Sequence, residues 1–167
     1  MTRRGPGPGP APHRDPRHGD PLHGDPLRHA FLTTRYGTAA EPAWLSGRPG
    51  PGPGWAAGRW GIVTAWNPAG QQADSSSNAA RQAELERRLR SLGRPFFPGH
   101  NGEGEWQEPT FIVRGLGPAE LAGLGGDFGQ AAVLHGSGTR AALLWLDGSQ
   151  VTGAERRWLV SEPPQPA

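Results

Sequence analysis

Asn67, Asn78, Arg81, Glu108 and Gln130 are the residues whose types and spacing suggest chemistry. Asn67 follows the β-rich run Gly61-Ile62-Val63-Thr64-Ala65-Trp66 and so stands at the carboxyl end of a strand. Asn78 and Arg81 precede Leu85 by seven and four residues, and helical spacing puts both on the side that Leu85 buries. Polar groups there need partners, either at the neighbouring strand end or in a ligand cleft. Glu108, just before a strand, and Gln130, just after a helix, are expected to converge on the same cleft. In a binding module Arg81 supplies charge, while Asn67 and Gln130 orient hydrogen bonds to a small polar or anionic ligand or a protein partner. In an enzyme Glu108 acts as general base on a small polar or phosphorylated substrate, with Arg81 and Asn67 as oxyanion or phosphate contacts. The purely architectural alternative has Asn67 closing a turn, Asn78 supporting a cap and Arg81 pairing with Glu108.

Other chemistries are poorly served. The chain has no Cys and no Lys, which excludes thiolate nucleophiles, disulfides, Cys-ligated metals and a Lys-bearing phosphate loop. Neither His-Glu-x-x-His nor Gly-x-Ser-x-Gly occurs. Ser75, Ser76 and Ser77 lack a base at fixed spacing and read as helix caps. Glu103, Glu105 and Glu108 are neighbours along a polar loop, and His100 and His135 stand alone. His13, His18, His23 and His29 fall in or beside a low-complexity stretch without fixed geometry, so no metal site and no cofactor is assigned. Trp106, in the polar loop, reads as a lid or contact residue, whereas Trp66, Phe111, Phe128 and Trp145 belong to the core.

The elements that must position these residues emerge from a chain of 167 residues carrying 27 Gly and 19 Pro. Residues 1–24 alternate Gly with Pro and repeat His-Gly-Asp-Pro-Leu; such a segment buries too little apolar surface to offset its ordering entropy and is expected to be disordered. Residues 25–160 are expected to form a single α+β domain interrupted by a Gly/Pro loop at 47–58, and 161–167 a disordered end. Asp25-Pro26 opens a short helix, and Ala40 to Leu45 is extended, with Pro42 confining it to an edge. A strand at 61–66 is followed by a helix over Asn78 to Leu92 ended by Gly93, with Glu84–Arg88 and Glu86–Arg90 pairs on its exposed side. Strands follow near 95–98 and at 110–114, then a helix from Gly117-Pro118, strands at 131–134 and 141–146, and a short strand at 157–160. This succession contains β-α-β-β-α-β. The simplest un-knotted solution is ferredoxin-like, a mostly antiparallel sheet with helices on one face and added strands.

All 17 basic residues are Arg and the formal net charge is +2. Arg without Lys beside abundant Gly and Pro points to a GC-rich genome rather than to an electrostatic footprint, which would need Arg clustered on one element, and a nucleic-acid partner is not expected. Gly5-Pro6-Gly7-Pro8 stands where a secretory signal needs an apolar stretch, and the longest apolar run, Ala141 to Leu146, is far short of the roughly 20 residues of a membrane span. A soluble, cytoplasmic protein without membrane partners is therefore expected.

Four ordered motifs carry a family resemblance: Thr64-Ala65-Trp66-Asn67-Pro68; Asn78-x-x-Arg81-x-x-x-Leu85-x-x-x-Leu89; Trp106-x-Glu108-Pro109-x-Phe111; and Phe128-Gly129-Gln130-x-Ala132. Over roughly Asp25 to Leu146 the chain resembles the bacterial family known as domain of unknown function 3293. The resemblance implies a small cytosolic protein built around a strand ending in Thr-Ala-aromatic-Asn-Pro, and it names no activity. It picks out the same five polar residues. The reading preferred from sequence is a non-enzymatic module for a small ligand or partner, with the Glu108 enzyme and a regulatory interaction protein, recognised through the tail, as alternatives.

Overall fold

The computed structural model describes residues 25–166. The expected disordered tail at 1–24 lies outside the described residues, as do three of the four histidines noted there.

Local chemistry sets the helix ends. Helix α1, Pro26–Thr33, starts with proline at its first position, and the Asp25 carboxylate accepts the Leu27 N–H at 3.0 Å. Helix α2, Ser75–Leu92, begins three residues earlier than the expected Asn78. Its cap is Asp74, not one of the serines: the carboxylate accepts the Ser77 N–H at 2.9 Å and both the Ser76 and Ser77 hydroxyls at 2.7 Å. A carboxylate satisfies more of the free N–H and O–H groups at a helix start than a serine hydroxyl does, and its charge suits the positive end of the helix dipole. Gly93, at φ 65°, closes α2 in the left-handed conformation that glycine adopts without a Cβ penalty. Helix α3 is Pro118–Asp127.

Eight strands form one sheet: β1 Tyr36–Gly37, β2 Pro42–Ser46, β3 Arg59–Val63, β4 Phe96–Asn101, β5 Glu108–Arg114, β6 Ala132–Ser137, β7 Arg140–Asp147 and β8 Gln150–Val160. Their order is β1-β2-β8-β7-β6-β3-β5-β4, and every neighbouring pair is antiparallel. The sheet curls almost into a barrel. Its two ends meet where the Gly102 N–H donates to the Arg35 carbonyl at 2.8 Å. Gly99 permits the approach, because a Cβ there would lie 2.7 Å from the Gly37 carbonyl oxygen.

Alternation along the strands divides the core in two. Trp60, Ile62, Ile112, Leu134, Leu143 and Leu159 fill the concave side, joined by Trp55 and by Phe31 and Leu32 of α1. Val63, Phe111, Val113, Val133 and Leu144 point the other way and meet Leu85 and Leu89 of α2 and Leu121 and Leu124 of α3. Each of these fully buried leucines contributes about 1.5–3 kcal/mol. The fold is thus α+β, with a near-barrel antiparallel sheet and α2 and α3 sharing one face.

Several expectations need correction or refinement. Strand β2 is not an edge: it lies between β1 and β8, and Pro42 is tolerated because it is the strand's first residue. The 47–58 loop carries a short 3-10 turn, Gly54–Ala56, that buries Trp55 and Ala56 in the concave core. Strand β8 starts at Gln150 and not near Arg157, since its first half, with polar, small and charged residues in no regular order, gains cross-strand partners from β7 that no local pattern announces. On α2, Glu86 pairs with Arg90 at 2.6 Å as the spacing suggests, but Glu84 pairs with Arg87, and Arg88 reaches Asp127 at 2.6 Å.

Candidate functional site

The segment after β3 begins with three residues that turn the chain out of the sheet. The Thr64 hydroxyl donates to the Pro109 carbonyl at 2.8 Å, and the side-chain oxygen of buried Gln82 accepts the Ala65 N–H at 2.9 Å. Asn67 then adopts φ 44°, ψ 67°, a left-handed conformation open to asparagine, and Ala69 follows at φ 57°. The turn is held from α2. The Asn78 side chain accepts the Asn67 N–H at 2.9 Å and donates to the Asn67 side-chain oxygen at 2.8 Å and the Ala73 carbonyl at 3.2 Å. With its oxygen also accepting the Ala73 N–H at 3.0 Å, Asn67 has one direction left for its amide: it donates to Glu108 Oε1 at 2.8 Å.

A cavity of about 230 Å³ opens beside this turn, between α1 and the concave side of the sheet. Leu27, Phe31, Ile62, Leu134 and Leu143 supply apolar wall, and Asn67, Asn101, Glu108 and Gln130 the polar groups, with the exposed Trp106 indole at its edge. Burial pushes the Glu108 carboxyl above its usual range, opposed by the weaker effect of the Asn67 hydrogen bond. Among the described residues no cation lies within ion-pair distance of Glu108, and none lines the cavity. Gln130 is anchored through its amide nitrogen, 3.1 Å from the Trp66 carbonyl. The side-chain oxygen of Asn101 is buried without a partner.

The structure therefore sorts the five residues singled out from sequence. Asn67, Glu108 and Gln130 line one cavity. Asn78 stands behind it and fixes Asn67. Arg81 does not reach it: its guanidinium donates to the Ala65 carbonyl at 3.3 Å and the Phe128 carbonyl at 2.7 Å, tying the end of β3 to the end of α3. The Arg81–Glu108 ion pair of the architectural alternative is accordingly not formed. Asn101 was missed because it follows Gly99-His100 in what reads as a polar loop; only pairing of β4 with β5, Asn101 opposite Glu108, brings it to the wall. For Arg81 the helical position says which side it faces but not that two carbonyls occupy that side. The described residues hold no cluster of three His, Asp or Glu suited to a metal, and no helix among them is long and apolar enough to cross a membrane.

Fold and cavity together define a small α+β domain with a half-buried carboxyl at the start of β5, beside the turn that follows β3. Residues 63–133 match the family model described as "Protein of unknown function (DUF3293)", and over that segment the chain belongs to this family. The match is narrower than the span of 25–146 expected from the motifs, yet it contains all five polar residues. No curated protein and no solved structure matches the chain.

Proposed function

We propose that the domain is a binding module for a small molecule with an apolar body and a hydrogen-bond-donating, amine-like head, seated in the cavity beside Glu108. The observation that carries this reading is a half-buried carboxyl in a mainly apolar cavity whose described lining includes no cation. Such a carboxyl accepts hydrogen bonds and gains a counterion when an ammonium group enters. The buried, unpartnered Asn101 oxygen is a further acceptor. An anionic ligand finds no matching charge there, because Arg81 is occupied by backbone carbonyls. A thermal-shift screen with small aromatic and aliphatic amines, set against matched carboxylic acids and phosphate esters, tests the proposal. Amines should raise the melting temperature of the native protein and raise that of Glu108→Gln much less. Equal shifts from the acids, or an undiminished shift in the variant, would refute it.

The second reading, an enzyme with Glu108 as general base, draws on the same elevated proton affinity. Turnover of a bound amine that Glu108→Gln abolishes while binding persists would select it. A regulatory role recognised through residues 1–24 would rest on a segment outside the described residues. For the fold, we read β3-α2-β4-β5-α3-β6 as a split β-α-β-β-α-β unit of the ferredoxin-like kind, with β1, β2, β7 and β8 added. The order β6-β3-β5-β4 supports that reading.

A further inference from the structure

A second concavity, on the helix-bearing face of the sheet, has the opposite chemistry. Helix α3 covers only part of that face. Gly125 and Gly126 bring its last turn against Val133, Leu146 and the Gly148 carbonyl, at the Leu146 end of β7. The Arg140 end of β7 is left as an open groove of about 450 Å³.

Strand register places a straight row across five strands here. Arg59 faces Ser137, Ser137 faces Arg140, Arg140 faces Trp158, and Trp158 faces Ser46. Directly opposed residues share a face, and Arg59 lies on the side away from the concave Trp60. A second row on that side runs from His135 through Ala142 to Arg156. The groove lining contains no carboxylate.

The distribution of ion pairs makes this row unusual within the molecule. Arg28, Arg35, Arg87, Arg88, Arg90, Arg94 and Arg157 each have a carboxylate partner. Arg81 and Arg114 donate to backbone carbonyls. The remaining described arginines, Arg48, Arg59, Arg140 and Arg156, form no ion pair among the described residues, and all four are exposed. Arg140 and Arg156 line the groove, Arg59 opens the row, and Arg48 follows the lining residue Gly47. The Arg140 guanidinium lies over the Trp158 ring, 5.6 Å from its centroid, so the groove floor carries a cationic, planar stack.

We propose that this groove binds single-stranded nucleic acid, with Arg59, Arg140 and Arg156 on successive phosphates and a base stacking on the Arg140–Trp158 pair. Arg59 and Arg140 lie two strands apart, about 10 Å across the sheet, which suits neighbouring phosphates better than a single one. Exposed arginines flanking a planar platform on an antiparallel sheet recognise single strands without needing a sequence code. The site is separate from the Glu108 cavity, and its fate is independent of the reading given there.

Fluorescence anisotropy of a labelled oligo-uridine 12-mer titrated with the full chain tests the proposal. Binding should weaken with salt at a log–log slope of about −2 to −3, as expected for three or four contacted phosphates. The triple variant Arg59→Ala/Arg140→Ala/Arg156→Ala, with unchanged circular dichroism, should bind at least about tenfold more weakly and with a shallower slope. Trp158→Leu should weaken binding about tenfold with the slope retained. No binding at 50 mM salt would overturn the proposal. So would binding that survives the triple variant, because another part of the chain would then be responsible, or equal affinity for duplex RNA with Trp158→Leu silent, because charge alone would explain it.

Discussion

Replacing Asn78 by alanine should remove the brace that holds the turn at the cavity, and the cost follows from the contacts. Asn78 is 2% exposed and makes three hydrogen bonds, two to Asn67 and one to Ala73. Each such bond contributes about 1 kcal/mol net, and the Asn67 N–H, left without a partner in a half-buried place, costs a further 1–3 kcal/mol or so. Alanine is the better helix former by about 0.5 kcal/mol, which offsets little of this. The expected loss is about 3.5–5.5 kcal/mol, or about 7–22 °C in melting temperature for a chain of this size. Urea denaturation measures it directly. Asn67→Gly completes a double-mutant cycle: glycine tolerates the φ of 44° at that position and deletes only the side chain. Because both single variants break the same Asn78–Asn67 side-chain bond, the two losses should fall short of additivity by about 1 kcal/mol. A loss below about 1 kcal/mol for Asn78→Ala, or strictly additive losses, would refute the claim that this pair anchors the turn.

Three other outcomes are expected. Burial raises the proton affinity of Glu108 in the folded state, so its contribution to stability is fully present below the ordinary glutamate range and is lost as pH rises through the raised folded value. Glu108→Gln should therefore match the native protein in thermal melts near pH 4 and exceed it at pH 8; an advantage greatest at pH 4 would contradict the assignment. Among the glycines, Gly123→Ala in α3 meets open space and should stabilise by about 0.5–1 kcal/mol in chemical denaturation. Gly136→Ala would set a Cβ 2.1 Å from the buried Trp60 ring and 2.7 Å from the Arg140 carbonyl, and the expected result is loss of the cooperative transition.

Local sequence determined the elements with strong local signals. The Leu85–Leu89 stripe, the terminating Gly93 and the uncharged run before Asn67 are written in neighbouring residues; the helix is present, and the strand is too but as Arg59–Val63, two residues earlier at its start and without Thr64–Trp66, which leave the sheet. Helical spacing likewise placed Asn78 and Arg81 on the buried side of α2. Which partner each found there depended on residues distant along the chain: Asn67 across the turn, Phe128 at the end of α3. The length of β8, the interior place of β2 and the closure of β1 toward β4 came from cross-strand pairing, which has no signature within one strand. Arginine shows the division most plainly. Along the chain Arg48, Arg59, Arg140 and Arg156 are far apart and look like composition; strand register alone sets Arg59 and Arg140 in one row, and none of the four forms an ion pair among the described residues. Residue types fixed the charges, and only the sheet decided which of them are neutralised and which face open solvent together.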